Sequence, residues 1–343
     1  MERLQWVDVA KGIGILIVII GHELQHVKSS PVSFILDDVV AIIYAFHIPL
    51  FFFLSGVLLN HSASFKQFTV KKLSRLLLPY FVSCLIFSIV SFLSYLIFKN
   101  PVSFSWFQCL YACAFGTHDI LIQTTGVKLF AILWFLPALF CASLIGYCII
   151  TAINKNTLMG SILFLVIVSC GYSCSLLHLQ LPWSLDIAMV SQIFVIPGYY
   201  FIKNGPKINP VAAILALLVF AIAFHFNGVP VIVVAKAIYN NLFLFWVAAI
   251  SGVMVVIYIS QLIIKSPAVE KPFIFFGNNT LVIFCFHTVA FYIVHLLALA
   301  FPVILIIYNS SIAFSIIFAV GVSLAFVFAI RKIPLLNRIY GTQ

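Results

Sequence analysis

Charge is what this chain has least of. Only 8% of its 343 residues are Asp, Glu, Lys or Arg, and just eight residues are acidic. With 64% hydrophobic residues and a mean hydropathy of +1.22, it carries more apolar surface than a soluble fold can bury. The composition therefore specifies an all-α, polytopic membrane protein. Other absences narrow the class. Cys109 and Cys113, like Cys170 and Cys174, are four apart, with no second pair at zinc-like spacing beside them. The eight cysteines lie mostly in apolar runs as small hydrophobes, so neither a metal site nor a disulfide framework is expected. No A-x-A cleavage site follows the first apolar segment, which is too long and too polar at its end for a signal peptide and is expected to stay in the mature chain. No soluble domain is expected at either end. The lack of an internal repeat counts against an inverted-repeat transporter.

Ten segments have the length and hydropathy of spans, at about 7–27, 37–59, 76–98, 129–152, 158–177, 185–202, 210–226, 241–264, 279–300 and 311–330. The net charge of +10 is compatible with nucleic acid, but its distribution points to topology instead. With the N-terminus in the cytoplasm, fourteen Lys and Arg fall inside and only Lys28, Lys99, Lys128 and Lys236 outside. That positive-inside bias predicts an N-in, C-in orientation. The long outer connection 99–128 is semi-apolar, so a re-entrant or surface-lying helix is expected there.

Ionisable residues inside spans are costly and mark functional sites by default. The first segment, WVDVAKGIGILIVIIGHELQ, sets His22 and Glu23 at membrane depth after Asp8 and Lys11. Lys11 and His22, eleven residues apart, fall within roughly 20° of one helix face and about 16 Å apart along the axis. Lys11 reads equally as a headgroup anchor. Glu23 is about 100° from His22 and is expected to line a cavity rather than orient the imidazole. FHIPLFFFLSG (46–56) puts His47 in mid-span beside the helix-loosening Pro49. His47 is read either as a core histidine or as a second acid/base or oxyanion donor. KKLSRLLLPY (71–80) places Lys72 and Arg75 three apart at an expected helix start, as a positive-inside anchor or a phosphate patch.

These stretches, with LWFLPALF (133–140), LPWSLDIAMVSQIFVIPGYY (181–200) and FFGNNTLVIFCFH (275–287), resemble the membrane-bound acyltransferase-3 family, most of all its fucose 4-O-acetylase-like sugar O-acetyltransferase branch. The resemblance covers nearly the whole chain as one transmembrane domain. It implies a bacterial inner-membrane enzyme that moves an acyl group, usually acetyl, from cytoplasmic acyl-CoA to a sugar hydroxyl of an envelope glycan or lipid-linked saccharide. Acetyl-CoA is then a donor substrate, and no bound cofactor is expected. Some relatives start the first motif with Arg, where Lys11 keeps the charge but loses the bidentate fork. Relatives with a fused extracytoplasmic esterase-like domain differ too, so this chain is expected to complete transfer in the membrane. On this reading His22 is the general base, with His47 as partner; Lys11, Lys72 and Arg75 hold acyl-CoA. Glu23, Trp134, Asp186 and His287 are acceptor contacts, alongside Trp183. Asn278 and Asn279 are expected to cap a broken helix. Membrane lipid surrounds the chain, and a homo-oligomer is compatible with it. The alternative is a glycan or lipid-linked sugar flippase, in which the buried ionisable residues would bind or relay; a glycan polymerase also suits a basic multispan chain.

Overall fold

The computed structural model describes residues 4–26, 33–98, 105–125, 128–205, 207–227, 233–301 and 303–341. Arg3, Lys28 and Lys99, used in the charge count, lie outside them. The order is α1 (Gln5–His26), α2 (Ser33–Val57), α3 (Phe65–Lys72), a π-helical turn (Leu73–Leu77), α4 (Leu78–Phe98), α5 (Trp106–Phe115), α6 (His118–Thr125), α7 (Phe135–Lys155), α8 (Thr157–Leu176), α9 (Leu185–Val190) and α10 (Gln192–Lys203). Then follow α11 (Pro210–Asn227), α12 (Leu242–Ile263), α13 (Pro267–Asn278), α14 (Thr280–Phe286), α15 (Val289–Ala300), α16 (Val303–Ser310), α17 (Ile312–Lys332) and α18 (Pro334–Tyr340). Among the described residues there is no β-strand, only an isolated bridge between Val233 and Ile238. Among the described residues, eight helices are long and apolar enough to cross a membrane, or nine if the bent pair α9–α10 counts as one span. Helix α1, which carries Asp8, Lys11 and Glu23, is not one of the eight.

Several segments differ in shape from the sequence expectation. The third does not start near residue 76: helix runs from Phe65 through the π turn to Phe98, begun by a Ser64–Gln67 capping box. Lys72 and Arg75 therefore sit inside a continuing helix, and no free N-terminal N–H groups lie beside them. The sixth bends by 59° at Ser191. The ninth is interrupted at His287 and Thr288, between α14 and α15. The connection between α4 and α7 holds the short helices α5 and α6.

The chain divides into two compact units. One holds Met1–Phe51, Gly205–Ile232 and Tyr239–Gln343, the other Phe52–Asn204 and Val233–Ile238. Each contains a reciprocal glycine contact. In the first, a Cβ on Gly12 would land on the Phe273 carbonyl oxygen, and one on Gly277 would land on that of Asp8. In the second, Gly56 faces the Val195 carbonyl and Gly198 the Phe53 carbonyl in the same way. Lipid gives apolar helices little reason to associate, so close backbone approach through small residues has to supply the contact. Four glycines thus define two helix crossings, α1 with α13 and α2 with α10.

Substituting Gly12 or Gly277 by Ala forces the crossing apart and should cost about 1–3 kcal/mol. Gly321 faces open space and serves as the control. Apparent melting of the detergent-solubilised protein should fall clearly for Gly12→Ala and Gly277→Ala and stay at the parental value for Gly321→Ala; equal melting in all three would refute the crossing.

Candidate active site

Four rings of the first unit lie in sequence across three helices. Helix α1 carries His22 next to Gly21, whose missing side chain leaves room for the Tyr44 ring; a Cβ there would lie 3.0 Å from Tyr44 Cε1. Leu24, Val40, Ile43 and Tyr44 pack together around this point. Tyr44 Oη lies 3.3 Å from His22 Nδ1. On its other side the Tyr44 ring is 4.8 Å from that of His47, one turn on. The fourth ring is His287, 5.2 Å from His22 between centroids.

His287 stands where α14 ends, and its Nδ1 bonds the Phe284 carbonyl at 2.8 Å and the Ile283 carbonyl at 3.2 Å. Carbonyls only accept, so Nδ1 carries the proton and the neutral ring keeps its lone pair on Nε2. That nitrogen is buried without a hydrogen-bond partner among the described residues, as is the neighbouring Thr288 hydroxyl. His287 is 1% exposed. A buried acceptor with nothing to accept is a binding position for a hydroxyl or an N–H.

His47 is fixed in the same way, with Nδ1 2.9 Å from the Ile43 carbonyl. Its neutral ring then presents an acceptor at Nε2, not the N–H an oxyanion requires. Glu23 is 1% exposed and accepts a hydrogen bond from Tyr308 Oη at 2.5 Å. It thus bonds away from the His22 ring, to α16. Lys11 forms a 3.2 Å ion pair with Asp8, one turn back. Asn279 does not cap α14: its amide donates to the Phe275 carbonyl at 2.7 Å, closing the end of α13, and its oxygen accepts from Arg331 at 3.3 Å.

The remaining candidates belong to the second unit. Lys72 lies over the Phe68 ring at 5.4 Å, and Arg75 is exposed on the π turn. Turns of that kind recur at functional positions. Trp134 is buried, edge-on to Phe135 at 5.8 Å. Asp186 is also buried and accepts from the Leu181 N–H at 3.2 Å, tying the turn before α9. Trp183 holds a positive φ of 59° and donates its indole N–H to the Ala114 carbonyl at 2.9 Å, helping to close the end of α5. Away from these, His118 Nδ1 donates to Asp119 at 2.8 Å and Gln180 donates to the other oxygen at 2.7 Å. Burial lowers the His118 pKa; Asp119, though burial pushes it up, is held below its ordinary value by His118 and Gln180.

Sequence reasoning brought out His22, His47 and His287 singly but missed Tyr44 and Tyr308. Tyr44, one turn before His47, left a helical spacing that would have found it. Nothing local singles out Tyr308, which meets Glu23 across 285 residues.

Among the described residues, no three His, Cys, Asp or Glu side chains come together as a metal site. No curated protein and no solved structure matches the chain. A family model described as an acyltransferase domain matches residues 4–330. With that match running through both units, the chain belongs to the acyltransferase-3 family of membrane acyltransferases.

Proposed function

We propose that this acyltransferase takes an acetyl group from cytoplasmic acetyl-CoA and places it on a sugar hydroxyl of a bacterial envelope glycan or its lipid-linked precursor, with His22 as general base. The observation that carries the reading is the pair of imidazoles, His22 and His287, 5.2 Å apart, with one lone pair buried and unclaimed. The sugar hydroxyl attacks the thioester carbonyl while His22 removes its proton, and a C–O bond forms. The tetrahedral intermediate collapses, the C–S bond breaks, and the departing thiolate takes the proton from the imidazolium. The ester is left on the sugar, and free CoA departs. His287 Nε2 accepts from a second hydroxyl of the same sugar and so orients the ring. Tyr44 orients His22, and His47 packs behind Tyr44.

The donor's phosphates cannot enter hydrocarbon and stay at the cytoplasmic face, and Lys11, Lys72 and Arg75 are kept as the sequence-based candidates for them. Arg offers phosphate a planar fork from the exposed π turn, whereas Lys11 has to exchange its bond with Asp8. The long thin pantetheine arm carries the acyl group along the Lys11–His22 face of α1. Ten spans, with both termini in the cytoplasm, complete this arrangement: the eight long apolar helices, the bent α9–α10 pair, and α1.

Radiolabelled acetyl-CoA and a crude envelope-lipid fraction give the assay. His22→Ala should lower kcat by about 10²–10⁴-fold at matched expression; activity within a few-fold of the parent removes His22 from the chemistry. Arg75→Ala should raise the KM for acetyl-CoA and leave kcat nearly unchanged, because a remote phosphate contact is uniform binding. An unaltered KM would take Arg75 out of the donor site.

Reporter fusions check the orientation. Fusions within 61–74 and at the C-terminus should read cytoplasmic, and one within 99–128 external. A cytoplasmic signal from 99–128 would overturn the ten-span arrangement.

A further inference from the structure

A further group of polar side chains, all in the second unit, has no part in the transfer described above. Gly116 ends α5 at a positive φ of 69°, so the chain turns at once into α6. A Cβ there would lie 3.2 Å from Trp183 Cδ1, so the segment before α9 packs directly on this turn. The two segments bring Asp119, in the first turn of α6, to Gln180, whose amide donates to Oδ2 at 2.7 Å. His118 Nδ1 donates to Oδ1 at 2.8 Å. Lys236 completes the group from a short turn closed by the bridge between Val233 and Ile238. That turn is tied to α8 by the Ser175 hydroxyl, which donates to the Ala237 carbonyl at 2.5 Å. Lys236 is exposed, and its charge acts on both His118 and Asp119.

The pairing decides what each group offers. Burial pushes the Asp119 pKa up, but His118, Gln180 and the Lys236 charge hold it below its ordinary value, so the carboxylate is ionised and only accepts. His118 therefore keeps its proton on Nδ1. Burial lowers the His118 pKa against the pull of Asp119, so the ring is neutral at neutral pH and its lone pair is on Nε2. Gln180 turns its NH2 to the carboxylate, which leaves its carbonyl oxygen as a second acceptor. Side chains of His118 and Asp119 are 18% and 27% exposed, so the group is open at one side. Thr117 Oγ1 and Ser184 Oγ, next in the chain to His118 and Trp183, are buried without a partner among the described residues. Two acceptors beside an ammonium donor suit a ligand rich in hydroxyls. Because the charges of Asp119 and Lys236 offset each other, they suit neutral hydroxyls better than phosphate.

We propose that this group is a subsite for a neutral sugar residue of the acceptor glycan, other than the one acetylated, with His118 Nε2 and the Gln180 carbonyl accepting from its hydroxyls and Lys236 donating to another. It rests on the reading of a glycan as acceptor and gives that glycan a point of recognition apart from the chemistry. The orientation proposed above puts this end on the side of an envelope glycan.

The test has two readouts on the full chain in phosphatidylcholine nanodiscs: binding to a printed array of defined neutral and uronate-containing oligosaccharides, and acetyl transfer to increasing amounts of the envelope-lipid fraction. The parent should bind neutral oligosaccharides on the array. His118→Asn keeps an amide N–H for Asp119 and has nothing at the Nε2 position. It should lose the array signal and raise the KM for the fraction about tenfold at nearly unchanged kcat, the usual scale for one lost hydrogen bond. His118→Gln, which returns an acceptor oxygen, should recover part of both, and Lys236→Met should behave like His118→Asn. A His118 that only ties Asp119 would leave His118→Asn equal to the parent, and that result overturns the subsite. So does a parent that binds only uronate-containing saccharides or none. Discs containing phosphatidylglycerol check a lipid headgroup as occupant: if that lipid abolishes array binding by the parent, the group holds a headgroup phosphate and the subsite is overturned. If the parent transfers no acetyl to the fraction, the acceptor reading fails along with the subsite, whereas transfer with a KM indifferent to His118→Asn defeats the subsite alone.

Discussion

An imidazole buried in an apolar helix satisfies its N–H most cheaply at a backbone carbonyl one turn back, and the candidate site depends on that constraint. His47 bonds the Ile43 carbonyl and His287 those of Ile283 and Phe284. Leaving such an N–H unpaired in a low-dielectric interior costs about 1–3 kcal/mol, so both rings are held in one tautomer. The free nitrogen of each is consequently a base and not a donor. At His287 the effect is strongest, because at the break between α14 and α15 Nε2 and the Thr288 hydroxyl are both buried without partners among the described residues.

The helices carrying these rings are placed by backbone-to-backbone contact. Gly12 and Gly277 bring α1 against α13, and α13 leads through Asn279 into α14, which ends at His287. The Asn279 amide closes the last turn of α13 at the Phe275 carbonyl, so the break before α14 leaves that group satisfied. A glycine ten residues before His22 and another ten before His287 thus help to fix the spacing between two imidazoles. Polar groups elsewhere are treated alike: Glu23 is buried, but with the Tyr308 hydroxyl against it.

The ring cluster of His61, Tyr147, Phe68 and Tyr199 in the second unit follows different rules. There Lys72 and Lys203 lie over π faces, and the Thr151 hydroxyl decides which nitrogen of His61 holds the proton. A histidine within a helix is fixed by its own backbone, while one in a turn is fixed by a side chain from another helix. One residue type serves both because its two nitrogens can be fixed separately.

Hydropathy is a local sum, so the sequence by itself determined the membrane class and a helix at each of the ten segments. Motif order determined the family, and burial cost alone was enough to mark His22, Glu23 and His47. The breaks were less legible: the continuation of helix through Lys72 and Arg75, the bend at Ser191 and the gap at His287 depend on which carbonyls find other partners. Trp134, Asp186 and Asn279 likewise became packing, turn-closing and helix-closing residues only once their neighbours were in place. Tertiary structure alone decided that Tyr44 reaches His22 and that Tyr308 reaches Glu23. The tautomers of His47 and His287 follow from carbonyls one turn back, but which ring or hydroxyl stands opposite His22 and Glu23 is set by atoms tens or hundreds of residues away, and the sequence does not encode those contacts locally.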